Sequence, residues 1–252
     1  MRTGFFFGLF ALALTTTARA DPPDFDQPGA GFATSVLPFG TLALEQGLPT
    51  YTRQSGGGLL DRQYSANSLI RIGLGGPAEL QIGGSAWNRL EERGQGVRRY
   101  SVGHGDSSLG LKLAPTLSGD FSWSALGVVT FANGDQDFSN GARQYTLGAT
   151  AQWAINERYV TTLYANVDRL RGRNTWTLAP TFGVNIAQNW MVYGEFDAIH
   201  SAQDGNEFQA GGGAALSVTD HVQLDAYALH RIGAHGPSVI AGLGISIFFD
   251  RR

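Results

Sequence analysis

The sequence predicts an all-β protein, a transmembrane antiparallel up-and-down β-barrel of about 12 strands with its N and C termini in the periplasm. Three observations carry this reading: a secretory leader, short segments in which apolar and polar residues alternate, and turn residues at regular spacing between them. Composition agrees. The 252 residues include 35 glycines and 11% aromatic residues, but only 15% are charged, against about 25% in ordinary soluble domains. Much of the surface is therefore expected to face something other than water. Nothing after the leader approaches the roughly 18 consecutive apolar residues of a spanning helix. An apolar exterior without apolar runs is what barrel strands produce, because every second residue faces lipid and the others face the lumen.

The leader opens on Met1-Arg2, continues through an apolar stretch from Phe5 to Leu14, and ends on Ala18-Arg19-Ala20. A positive start, a short hydrophobic core and a small-x-small site are the parts of a secretory signal over residues 1–20, with cleavage after Ala20. The core is too short to cross a bilayer of about 30 Å as a helix. Residues 21–38 follow as an N-terminal periplasmic or lumen segment, and 39–252 as the barrel. Loss of Arg2 and Arg19 takes the formal net charge from −3 to −5, with no basic cluster to grip nucleic acid. The absence of cysteine excludes a disulfide framework, a thiolate metal site and a lipid-bearing N-terminal Cys.

Alternation places strands near 40–51, 63–73, 78–89, 105–115, 120–131, 143–155, 159–170, 174–186, 190–200, 206–218, 221–231 and 238–249. In the last, Val239, Ala241, Leu243, Ile245, Ile247 and Phe249 share one face. In the eighth, Trp176, Leu178, Phe182, Val184 and Ile186 do. An even count suits a closed bacterial barrel. Links after even strands are tight, as at Leu74 to Pro77 and Thr219-Asp220. Those after odd strands are mostly longer and more polar, as at Thr52 to Arg62, Leu90 to His104 and Ala132 to Ala142. Short periplasmic turns and long external loops are the expected asymmetry. Two aromatic girdles follow: Phe121, Trp123, Trp153, Tyr159, Trp190 and Phe249 at the periplasmic ends, and Tyr64, Phe131, Tyr145, Trp176, Phe196 and Phe208 at the outer ends. A soluble β-sandwich or lipocalin-like barrel would also alternate, but it needs more charge to coat its outside.

The face opposite the apolar one is expected to line the lumen with Glu45, Arg71, Glu79, Lys112, Asp168, Glu195, Asp197 and Asp225, beside Trp87, Tyr164, Tyr193 and Tyr227. Such charges form either a polar path that selects solutes or a salt-bridge network that fills and stiffens the barrel. Twelve strands lie between small solid barrels and wide porins, so both readings stay open.

One external loop, Asn133 to Gly141, carries candidate chemistry. Asp135, Asp137 and Ser139 have the alternate-residue spacing of a calcium loop, but Asn140 stands where that loop needs Gly and Thr146 where it needs Glu. Ser139-Asn140-Gly141 also resembles the His-x-Ser-Asn-Gly element of outer-membrane phospholipase A, with Asp137 in place of the activating His. An ordinary Asp/Asn/Gly-rich turn is the third reading. His104, His200, His230 and His235 fall toward the outer rim without the spacing of metal ligands. No G-x-S-x-G elbow, Walker loop or dinucleotide fingerprint occurs, so no cofactor and no enzyme activity are expected.

Gly31 to Glu45 (GFATSVLPFGTLALE), Ser68 to Gly83 (SLIRIGLGGPAELQIG) and Gly105 to Lys112 (GDSSLGLK) resemble the transporter-like outer-membrane family named for the meta-pathway of phenol degradation. That resemblance implies an outer-membrane barrel for passive passage of small, aromatic or hydrophobic solutes. Its partners would be outer-membrane lipids, a small-molecule solute and the outer-membrane assembly machinery, with no nucleic acid. The chain ends Phe249-Asp250-Arg251-Arg252 instead of on the aromatic residue that assembly usually reads. The alternatives are an outer-membrane hydrolase using Ser139 and a closed structural or ligand-holding barrel.

Overall fold

The computed structural model describes residues 24–250 apart from 57, 95 and 204. The expected leader and the last two arginines lie outside the described residues. Among the described residues thirteen strands form: β1 Leu42–Gly56, β2 Leu59–Gly75, β3 Ala78–Gly94, β4 Val97–Gly103, β5 Ser107–Leu113, β6 Phe121–Phe131, β7 Gln144–Ala154, β8 Tyr159–Leu170, β9 Arg173–Ala187, β10 Trp190–Ser201, β11 Gly205–Thr219, β12 Val222–Arg231 and β13 Val239–Phe249. Each pairs antiparallel with its neighbours, and β1 pairs with both β2 and β13, which closes the sheet on itself. Closure through β1, β2 and β3 leaves no unpaired edge in the barrel wall itself, the condition for spanning a membrane with strands. Among the described residues no helix is long and apolar enough to cross one.

The barrel has twelve staves, and β4 is an addition to the expected count. It pairs with the C-terminal half of β3, from Asn88↔Gly103 to Gly94↔Val97, while β5 pairs with the N-terminal half, from Ala78↔Leu113 to Gly83↔Ser108. The stretch from Leu90 to His104, expected as a loop, is thus mostly paired strand. Thr52 to Arg62 likewise continues β1 and β2 up to residue 56 and from residue 59. Polar composition disguised these ends, because strands beyond the membrane have no apolar face to alternate.

The wall of β1 to β4 consequently projects. A strand of 17 residues such as β3 is about 56 Å long at roughly 3.3 Å per residue, or about 40–45 Å of height at a tilt of 35–45°. An 11-residue strand such as β6 reaches only about 25–30 Å, close to the apolar band of about 25 Å. The outward set is the expected one: Leu109, Leu111, Leu113, Trp176, Leu178, Phe182, Leu243 and Phe249 are all exposed, whereas Ser246 and Phe248 between them are buried. Outward rings meet in pairs, the girdle residue Phe196 on Phe208 and the girdle residue Tyr159 on the wall residue Phe182, at 6.0 and 5.9 Å.

Candidate functional site in the barrel interior

The interior is built by the residues that alternation turns inward. Of the eight expected lumen residues, Glu45, Arg71, Glu79 and Lys112 are fully buried, Glu195, Asp197 and Asp225 nearly so, and Asp168 half-buried. They divide into two sectors. On β1, β2, β3 and β5, the Arg71 guanidinium forks onto Glu79 at 2.8 and 2.9 Å and reaches Glu45 at 2.8 Å. Lys112 donates to Asp26 at 2.8 Å and lies 3.3 Å from Glu79. This bidentate, charge-assisted geometry satisfies buried charges that would otherwise be costly.

The wall of β10 to β12 is different. Glu195, Asp197 and Asp225 form no ion pair among the described residues, and one oxygen of Asp197 and both of Asp225 are buried without a hydrogen-bond partner. The Tyr193 hydroxyl beside them is also unpartnered. Asp168, on β8, accepts from Gln144 and Asn166, both at 2.9 Å, and from Thr146.

Residues 24–38 carry the feature that sequence reasoning could not resolve. Asp26 and Gln27 donate their backbone N–H groups to Glu45, Ala30 to Glu195, Phe32 to Thr150 and Leu37 to Glu79. Thr34 bonds Ser122, Ser124 donates to the Ala33 carbonyl, and Gln223 donates to that of Gln27. These partners sit on β1, β3, β6, β7, β10 and β12, all round a closed barrel, so the segment runs inside it, in the half that carries the tight turns. Phe32 packs edge-on against Tyr164 at 5.7 Å, and Leu37 is buried with Ala43, Phe248 and Phe25. The segment has no period of 2 or 3.6, and only the acceptors facing it explain its path.

One expected lumen residue is corrected. Trp87 is exposed and lies opposite Ala66 on the outward face, because the β2–β3 register slips at Ala86, with Asn67 opposite Ser85. One extra residue reverses every following side chain, so Asn88 is buried instead.

The loop Asn133 to Gly141 folds against β4. Asp137 bonds Arg99 and Ser101, both at 2.5 Å, and Asp135 accepts the His104 N–H at 2.9 Å. The Ser101 hydroxyl and the Arg99 guanidinium hold the Asp137 carboxyl below its usual range. Ser139 accepts the Gly141 N–H and bonds the Asp106 carboxylate. Its partners are therefore turn groups and an acid, in place of the His–Ser pair that acyl transfer uses. Among the described residues no group of three His, Asp or Glu side chains is placed to hold a metal ion.

The fold is that of outer-membrane channels. It superposes on the COG4313 outer membrane channel of Pseudomonas putida F1 with a TM-score of 0.71 at 12% identity, covering 88% of this chain and 99% of that one. The KdgM porin in complex with disordered oligogalacturonate gives 0.58 at 8% identity over 82% and 99%. The translocator domain of the autotransporter NalP from Neisseria meningitidis gives 0.51 at 10% identity over 83% and 88%. No curated protein matches in sequence. The model of the family described as "Putative MetA-pathway of phenol degradation" matches residues 25–249, and the chain belongs to that family.

Proposed function

We propose that the protein is a passive outer-membrane channel for small solutes, its lumen narrowed by residues 24–38, with the tight turns and both termini on the periplasmic side. The observation that carries this is the inversion of the barrel: apolar residues outside, charged residues inside, and a peptide strapped across the interior by side chains of six strands. The family description points to aromatic or hydrophobic compounds as the solutes. Outer-membrane lipids and the assembly machinery are the partners such a barrel requires, and a leader over residues 1–20 would deliver it. Glu45, Arg71, Glu79, Lys112, Asp168, Glu195, Asp197 and Asp225 line the path. The arginine and lysine are neutralised by Asp26, Glu45 and Glu79, whereas the β10–β12 carboxylates are not. A passing ion therefore meets net negative charge, and the channel should prefer cations.

The test is single-channel recording of the refolded mature protein beside a variant lacking residues 24–37. A small, steady, cation-preferring current that rises several-fold in the variant is expected. Silence in both, together with no solute uptake into liposomes, would show a closed structural barrel and end the channel reading.

A further inference from the structure

The outer ends of β1 to β4 present a second feature that the lumen does not use. Because their register is continuous above Trp87, one outward face carries Arg53, Arg62, Arg89, Arg93 and Arg98, with Tyr51, Tyr64 and Tyr100 among them. Among the described residues a single acid, Glu91, shares this face, paired to Arg93 and Arg98. The patch thus keeps a net charge of about +4 at neutral pH.

Its arrangement is unfavourable on its own terms. Arg53 stands directly opposite Arg62 on the β1–β2 ladder, and Arg93 opposite Arg98 on the β3–β4 ladder. Like charges in such positions repel. The Arg62 Nε is buried without a hydrogen-bond partner. Arg98 lies over the Tyr100 ring at 4.5 Å and Arg89 at 5.6 Å, so one ring gathers two of the cations by cation–π contact. Solubility alone would be served by alternating signs. Tyr64 lies level with Arg89, and below them come the outward-facing Trp87, then Ile70 and Ile82 on the apolar wall.

We infer that this face docks a phosphorylated glycolipid of the outer leaflet, the lipid A portion of lipopolysaccharide, with its phosphates on the arginines and its acyl chains along the wall beneath. The vertical order of the patch is the order of such a lipid, anion above and hydrocarbon below. Guanidinium groups match phosphate bidentately. The inference rests on the preceding reading only in placing the hairpin end in the outer leaflet.

The experiment titrates the folded mature protein in detergent with bisphosphorylated lipid A, followed by native mass spectrometry. Beside it stand the Arg62→Gln/Arg93→Gln/Arg98→Gln variant and an Arg158→Gln control at the opposite end. At about fivefold per arginine, the triple variant should bind on the order of 100-fold more weakly at low salt. The control should match the parent, and lipid A stripped of its phosphates should bind the parent no better than the variant. Equal affinity of parent and triple variant, or indifference to the phosphates, would overturn the inference. The phosphate comparison needs no variant, so it decides even if the substitutions impair folding. Conductance in bilayers free of lipid A tests the channel reading separately, so either can fail alone.

Discussion

Gly73→Ala gives the most direct test of the interior segment. A Cβ at Gly73 would lie 1.9 Å from the Pro38 carbonyl oxygen and 2.5 Å from that of Leu37. Both are backbone atoms, and neither strand nor segment can yield freely: Gly73 donates to Thr41 at 3.1 Å and accepts from Gly40 at 2.9 Å. Relief by a local shift costs about 1–3 kcal/mol, the usual range for overpacking. If Leu37 is expelled from its pocket against Phe248, its lost burial adds about 1.5–3 kcal/mol. The seating equilibrium of the segment should fall roughly 5- to 150-fold from the shift alone, and further if Leu37 is expelled. Chymotrypsin can report this, since Phe32 is buried in the barrel and becomes a cleavage site only on release. Cleavage at Phe32 should accelerate by that factor, with a rise in open-channel current. Gly127→Ala is the control, because a Cβ there meets nothing within 4 Å. If Gly73→Ala and Gly127→Ala are cleaved at the same rate, the segment is not seated as described.

Three further outcomes follow from the charges. Replacing Arg71 with Met leaves Lys112 to pair Asp26 and Glu79 but strips Glu45 of its cation, and should destabilise the barrel by about 3–5 kcal/mol in urea titration, the cost of orphaning a buried charge. Asp197→Asn with Asp225→Asn should leave stability equal or higher, because unpartnered carboxylates are removed, and should lower the cation preference measured by reversal potential. Asp137 has a depressed pKa, so its hold on the loop is complete above the ordinary carboxylate value and fades as pH falls through the lower folded value. Hydrogen-exchange protection, taken relative to the intrinsic rate at each pH, should fall in residues 132–142 below about pH 4, and Asp137→Asn should show the same low protection at neutral pH.

How much of this was legible in the sequence depends on what each residue had to satisfy. Strands within the membrane band announce themselves, as Leu109, Leu111 and Leu113 do, because lipid outside and polar groups inside impose a period of 2. Beyond the band that contrast vanishes. In β4 the outward residues are Arg98, Tyr100 and Val102, and the strand exists because β3 continues beside it and supplies its hydrogen bonds. Trp87 was misplaced for a different reason. Period-2 reasoning carries a face along a strand only while no residue is inserted, and the extra residue at Ala86 left no mark beyond an unremarkable alanine.

The lumen charges show the same limit from the other side. Their positions could be read from alternation, but their meaning could not, since Arg71 and Lys112 alone on a list look like a positive filter. Only the fold brings Asp26 between them, at 3.4 and 2.8 Å, from a segment with no secondary structure. That one acid makes the basic sector part of the seat for residues 24–38. It also leaves the β10–β12 carboxylates as the uncompensated charge inside. A substitution at Asp26 should therefore do two things at once, releasing the segment and exposing Lys112 to the path. An Asp26→Asn channel that opened wider yet kept its full cation preference would contradict this division of the lumen.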